Sequence, residues 1–340
     1  MASIVFGFGA SHGPLLSTPP ERWDLRAADD RKNPAHPFRG NVYNFQDLAE
    51  LRQDEKDFRT EMSLEMRQER HVRNQNALDK LAEKVAAVDP DIVVVVGDDQ
   101  HEWFLNEVQP SFTVYCGDQV INAGLTEERL KAKSPGIQLA MKGYFPPEDH
   151  VYPVPKELAE AIVKGAIADE FDIAVSIEQP TGPRGIIGIG HAFAFIYRRI
   201  LRDRPVPIVP ILLNTYFPPN QPTAKRCYEL GRSIGRSIAG WNGPGADKRV
   251  AVCASGGISH FVVDEDFDER MLTAMKNRDT ETIFAEPDIV FRSGTSETKN
   301  WITVAGILSE TDLQMNLIDY VPAYRSEAGT GCGMAFASWD

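Results

Sequence analysis

Cysteine, basic charge and long apolar runs are all scarce in this sequence, and each shortage removes a class of protein. The four cysteines, Cys116, Cys227, Cys253 and Cys332, stand far apart with no C-x-x-C pair, so neither a zinc ribbon nor a disulfide framework is indicated. Lys and Arg number 36 against 49 Asp and Glu, giving a formal charge of -13. A nucleic-acid surface or an anionic-membrane surface needs clustered cations that this chain does not show. Apolar runs such as Ile92 to Val96 are far too short to span a bilayer, and no charged, apolar, small-residue leader is visible. The expectation is a reduced, cytoplasmic protein whose partners are small molecules or copies of itself, that is, a homo-oligomer.

What is present is ample apolar material: 340 residues at 42% hydrophobic can bury a substantial core. Ser3 to Ala10 is a strand by its β-branched and aromatic content, broken at once by Ser11-His12-Gly13-Pro14. Phe45 to Val88 has no Gly or Pro and is dense in Glu, Gln, Arg and Leu, which predicts two helices or one long bent one, stopped by Asp89-Pro90. Ile92 to Val96 reads as a strand buried on both faces. Val206 to Asn214 is apolar enough for a central strand, but Pro207 and Pro210 push it towards an edge or a bulge. Further strands at Phe112 to Ile121, Ile173 to Ile177 and Arg249 to Cys253 alternate with helices at Lys156 to Ala168, Thr223 to Ala239, Glu265 to Lys276 and Ser296 to Leu308. The economical reading is a single α/β domain over 1–340, with a central mixed sheet flanked by helices, a mostly helical insertion at about 20–88, and its active site at strand ends.

Four of the seven histidines, His12, His101, His191 and His260, sit in glycine-rich or acidic turns beside apolar strands. One such histidine is usually structural, but strand ends of one sheet converge on one crevice, so four together point to a site. Two histidines with one carboxylate suit a divalent iron, and the same set with a bound water suits a zinc hydrolase. Candidate carboxylates are Asp98, Asp99, Glu102 and Glu297; Asp98 and Asp99 are also placed to orient the His101 ring. Gly185 to Gly190 lacks both the Lys-Ser/Thr of a P-loop and the G-x-G-x-x-G order, so nucleotide binding is disfavoured.

Longer motifs are more specific. The run PIVPILLNTYFPPNQPTAKRCYELGRSIGRSI followed by VAVCASGGISHF, with GASHGP, IVVVVGDDQHEWF and SGTSETKNW elsewhere, resembles the catalytic subunit of class III extradiol ring-cleavage dioxygenases of the protocatechuate 4,5-dioxygenase type. The resemblance covers most of the chain and is strongest from about Ile186 onward. It implies one α/β domain with Fe(II) in a deep pocket, bound by His12, His101 and Glu297. It further implies His260 as acid/base, His191 as a second active-site histidine, and extradiol cleavage of a protocatechuate-, gallate- or methylgallate-like catechol with O2. A histidine that titrates near neutral pH suits the proton transfer asked of His260. Tyr324, Arg325 and Ser326 lie where relatives contact substrate, and Arg325 is expected either to hold a carboxylate bidentately or to be a plain surface arginine.

The sequence also departs from the family. Asp-Asp-Gln precedes His101 where Asn-Asp-His is commoner, and the helical stretch lengthens the distance from His12 to His101. In two-subunit members a small partner chain covers the site; here either such a subunit or the insertion itself is expected to do so. The alternatives to an iron dioxygenase are a zinc or other metal hydrolase on the same scaffold and a non-catalytic metal-binding relative.

Overall fold

The computed structural model describes residues 1–185, 187–244 and 247–340; Ile186, inside the glycine-rich stretch, lies outside the described residues. In chain order the first elements are β1 (Ser3–Ala10), α1 (Asp24–Asp30), β2 (His36–Phe38), β3 (Asn41–Tyr43), α2 (Phe45–Arg52), α3 (Phe58–Glu61) and α4 (Leu64–Val88). The middle of the chain supplies β4 (Ile92–Asp98), β5 (Phe112–Tyr115), β6 (Gln119–Asn122), α5 (Glu127–Lys131), α6 (Pro135–Met141), β7 (His150–Pro153), α7 (Lys156–Ala168) and β8 (Ala174–Ser176). Next come α8 (His191–Phe195), β9 (Ile208–Leu213), α9 (Ala224–Gly240), β10 (Arg249–Ser255) and β11 (His260–Val262). Last come α10 (Glu265–Lys276), α11 (Thr280–Ala285), α12 (Thr298–Leu308), β12 (Met315–Tyr324) and β13 (Thr330–Trp339).

Nine strands form one mixed sheet in the order β11-β13-β1-β10-β4-β9-β5-β8, with β12 paired to β13. The central strands β1, β10, β4 and β9 run parallel, while β13 and β5 run antiparallel to their neighbours β1 and β9. Side chains alternate across a strand, so β4 feeds two cores. Val94 and Val96 pack with α7, α9 and α12 on one face, and Val93 and Val95 pack with α4 and α8 on the other. Parallel strands also bring their C-terminal ends to one edge, which places His12, Asp98 and the Gly256-Gly257 turn side by side.

The Phe45 to Val88 stretch becomes three helices because Asp57 and Ser63 cap new starts, accepting from the backbone N–H of Thr60 and Met66. Its longest helix, α4, covers the sheet as an integral layer. The proline-based expectation for 206–214 is corrected: β9 lies between β4 and β5, fully buried. The Pro207 carbonyl accepts from Val93 on the β4 side, so strand alternation turns Pro210 towards β5. There the ladder ends at Ile211, and the N–H that proline lacks has no partner to miss.

Helix α12 approaches α9 closely. A Cβ on Gly306 would fall 2.1 Å from the Tyr228 carbonyl oxygen, and one on Gly231 would fall 2.0 Å from that of Thr303. This contact fixes the start of α12, where Glu297 stands. Among the described residues no helix is long and apolar enough to cross a membrane.

Candidate metal centre

His12 follows β1 and is 3% exposed. Its Nδ1 lies 2.9 Å from the Ser255 hydroxyl, whose single proton is committed to the Ala192 carbonyl at 2.6 Å. The ring must therefore donate at Nδ1, so that in its neutral form the lone pair is on Nε2. That Nε2 is buried, has no hydrogen-bond partner, and lies 3.2 Å from Glu297 Oε2. Two electron-rich atoms this close call for a proton or a cation between them.

The other histidines are tied in the same manner by different groups. His260 Nδ1 meets the Ile258 carbonyl at 3.2 Å, leaving Nε2 3.0 Å from Glu297 Oε1. His191 Nδ1 lies 2.9 Å from Glu102 Oε2, and its backbone N–H donates to Glu102 Oε1 at 2.8 Å. The His12 and His191 rings are 4.6 Å apart between centroids. Burial alone would lower the pKa of His191, but the Glu102 carboxylate outweighs it and pushes the value up to about 10. For His260, burial is likewise overridden by Glu297, and its pKa stands well above the ordinary range. Burial would raise Glu297, yet His260 and then His12 hold it well below the usual carboxylate range.

Asp98 closes β4 and is fully buried. One of its oxygens accepts from Asn300 and the other from Gln100, both at 3.2 Å. The Gln100 amide also donates to Glu297 Oε1 at 3.1 Å, so it bridges the two carboxylates. Burial, then the Glu297 charge, raises the pKa of Asp98. No Lys or Arg among the described residues pairs with Asp98 or Glu297. Ligand atoms of His12, Asp98, His191 and Glu297 all lie within 4.8 Å of one another. An orphaned imidazole nitrogen beside two uncompensated carboxylates fits a divalent cation.

His101 is not brought into this group. It adopts a positive φ of 58° and stacks flat on Phe217 with centroids 3.6 Å apart, its Nε2 against the Gln109 side-chain amide. Asp99 does not orient it either, since that carboxylate accepts from the backbone N–H groups of Glu102, Trp103 and Phe104. Local sequence gives no signal for Gln100, Ser255 or Asn300, because each acts on a partner far along the chain.

The turn that delivers His260 requires glycine. Gly256 has φ 154°, and a Cβ there would sit 3.0 Å from the Glu297 Cβ. Downstream, Ser259 is locked by the buried Asp268, which accepts from its N–H and its hydroxyl at 2.7 Å each.

The group opens on a cavity of about 410 Å³, lined by His12, His191, His260 and Glu297 together with the apolar and aromatic side chains of Ile137, Met141, Tyr144, Phe145 and Phe261. Its cationic lining, among the described residues, is Arg26, Arg129 and Lys133. Arg129 stacks over Phe145 at 4.2 Å and donates through one Nη to the Ala123 and Gly124 carbonyls. Of the insertion at about 20–88 only Arg26, in α1, lines the cavity, and the long helical part over 45–88 contributes no lining residue; the α5–α6 segment walls it instead.

Tyr324, Arg325 and Ser326 do not line the cavity. Arg325 is 1% exposed, which removes the surface reading. Its Nε and Nη2 are taken bidentately by Asp30 at 2.6 and 2.9 Å, away from the cavity lining. Tyr324 donates to Glu265, and Ser326 pairs with Thr330.

A mixed α/β sheet carrying a buried imidazole–carboxylate centre at its parallel strand ends defines a class of metal-dependent α/β proteins. Within it, the family described as the catalytic LigB subunit of aromatic ring-opening dioxygenase matches residues 60–331, and the chain belongs to that family. The chain is 30% identical over 178 residues to a 2,3-dihydroxyphenylpropionate/2,3-dihydroxicinnamic acid 1,2-dioxygenase of Burkholderia vietnamiensis, covering 52% of this chain and 45% of the relative. A second such enzyme, from Pseudomonas putida, is 28% identical over 195 residues, covering 55% and 51%. Gallate dioxygenase of Pseudomonas putida is 29% identical over 179 residues, covering 49% of each. The matched segment thus spans about half the length of these relatives. Family membership implies a metal cofactor, and the buried group offers a site for one.

Proposed function

We propose that the chain is an extradiol dioxygenase that opens a catecholic ring bearing an acidic substituent, with Fe(II) as its metal. The observation that carries this reading is the convergence of three imidazoles on Glu297 at the floor of a cavity sized for one substituted ring. A divalent iron there would supply the electronic link between a bound catecholate and O2. Glu297 holds a proton on His260 here; with Glu297 engaged by a metal, His260, its Nδ1 committed to Ile258, would be free to take a catechol proton at Nε2 and return one after ring opening. His191, kept cationic by Glu102, sets a positive charge beside the reacting oxygens. Arg129 and Lys133, which line the same cavity, supply the countercharge for an acidic substituent, a role expected of Arg325 from sequence.

The test is anaerobic reconstitution with Fe(II), then oxygen uptake and formation of a yellow ring-fission product against a panel of catechols with and without a carboxylate. Uptake with at least one carboxylated catechol is expected. Replacing Arg129 and Lys133 by Ala together should raise KM for that substrate about tenfold or more, with little change for a neutral catechol. The absence of uptake with every catechol would overturn the reading.

A further inference from the structure

The family resemblance assigns the second protein nitrogen of the metal site to His101, and the geometry of this chain does not. We infer that the metal is bound by His12, Asp98 and Glu297, one imidazole and two carboxylates, with Gln100 spanning the carboxylates, His101 outside the coordination sphere, and His191, whose ring stands in the same group, held back by its ion pair with Glu102.

Four observations carry this. His12 is locked as the tautomer that leaves Nε2 unprotonated, and that nitrogen is buried without a partner. Asp98 is 0% and Glu297 2% exposed, and neither is paired with a Lys or Arg among the described residues. Two such carboxylates are costly to bury without cationic partners; Glu297 has the His260 ring at 3.0 Å and Asp98 has only the Gln100 and Asn300 amides, so a divalent ion held between them with the His12 imidazole would complete the charge balance. His101 lines the same cavity, but its ring lies flat against Phe217 with its Nε2 at Gln109 and outside the ligand group. Gln100, one residue earlier, is the side chain that reaches the centre, with its amide 3.2 Å from Asp98 and 3.1 Å from Glu297. The Asn300 amide supports Asp98 from behind at 3.2 Å while donating to the Ser255 carbonyl. The same Ser255 anchors His12, so the ligands share one scaffold. The donor set is therefore harder than two histidines and one carboxylate, favouring oxygen-preferring divalent ions such as Mn(II) alongside Fe(II).

This rests on the reading that the centre holds a divalent metal, and not on which ring is opened. The experiment compares full-length wild type, Asp98→Asn and His101→Ala after anaerobic loading with Fe(II) or Mn(II). It reads bound metal by elemental analysis and the metal-induced rise in Tm. Asn keeps an amide-compatible shape between Gln100 and Asn300, and the metal-free Tm of each variant reports folding independently. The expected result is that His101→Ala binds one equivalent like the wild type, while Asp98→Asn binds at least about tenfold more weakly, with a metal-free Tm equal to or above that of the wild type. Loss of metal from His101→Ala, or full retention by Asp98→Asn, would overturn the inference. Should Asp98→Asn fail to fold, Asp98→Ser is read in the same way. Metal bound through Asp98 without oxygen uptake on any catechol would leave this inference standing and remove the proposed activity.

Discussion

Each histidine at the centre is fixed through Nδ1 by a different kind of group: a hydroxyl for His12, a carboxylate for His191 and a backbone carbonyl for His260. The three rings therefore differ in proton affinity although they share one cavity. The carboxylate partner has the largest consequence for stability. The His191 pKa of about 10 exceeds its unfolded value of about 6.5. The pair's contribution to metal-free stability is then complete below about pH 6.5 and lost as pH rises through about 10. Glu102→Gln should flatten that dependence and move the His191 titration back towards neutrality, as followed by NMR and by denaturation between pH 6 and 10. His260→Ala should keep its metal and lose turnover by about a hundredfold or more, whereas Glu297→Ala should lose the metal; elemental analysis beside oxygen uptake separates the two. His12, His191, His260 and Glu297 are legible in the sequence because each sits in a polar turn after an apolar run or in a recognisable motif. Gln100, Asn300 and Ser255 are not, since their roles follow from contacts across 197 to 243 positions that only the folded sheet creates.

At the level of elements, helix and strand positions follow the sequence where local propensity and tertiary packing agree. Lys156–Ala168 and Glu265–Lys276 have the bounds their patterns suggest. The β12–β13 hairpin is the main element that sequence reading passes over. β13 reads TGCGMAFASW, poor in β-branched residues, yet all ten of its residues are buried, with β12 along one edge and β11 and β1 along the other; its small side chains suit close packing more than strand propensity. The α9–α12 contact is the element-scale determinant of the site. Gly306→Ala would press a methyl into the Tyr228 carbonyl, costing about 1–3 kcal/mol, and would shift the start of α12 that carries Glu297. Lower stability by denaturation together with weaker metal binding is the expected outcome. An unchanged affinity in a destabilised protein would separate helix packing from site geometry.

Over the whole molecule, the α/β class and mixed sheet are readable from alternating apolar and helical stretches, because period and composition are properties of the chain itself. What covers the cavity is readable only in part. The aromatic and proline content of 136–155 suits a pocket lining, and Ile137, Met141, Tyr144 and Phe145 do line it, whereas the long helical stretch layers the sheet through α4. The tautomer lock on His12 carries a consequence for assembly. Its hydroxyl partner ends β10, that hydroxyl's own acceptor lies in α8, and the facing carboxylate precedes α12. These pieces are separated by most of the sequence, so a chain with β1 or β10 undocked presents scattered weak ligands and no chelate. Metal uptake in this protein is thus a readout of completed folding, and the ion, once bound, closes a clasp over strands whose order in space differs from their order of synthesis.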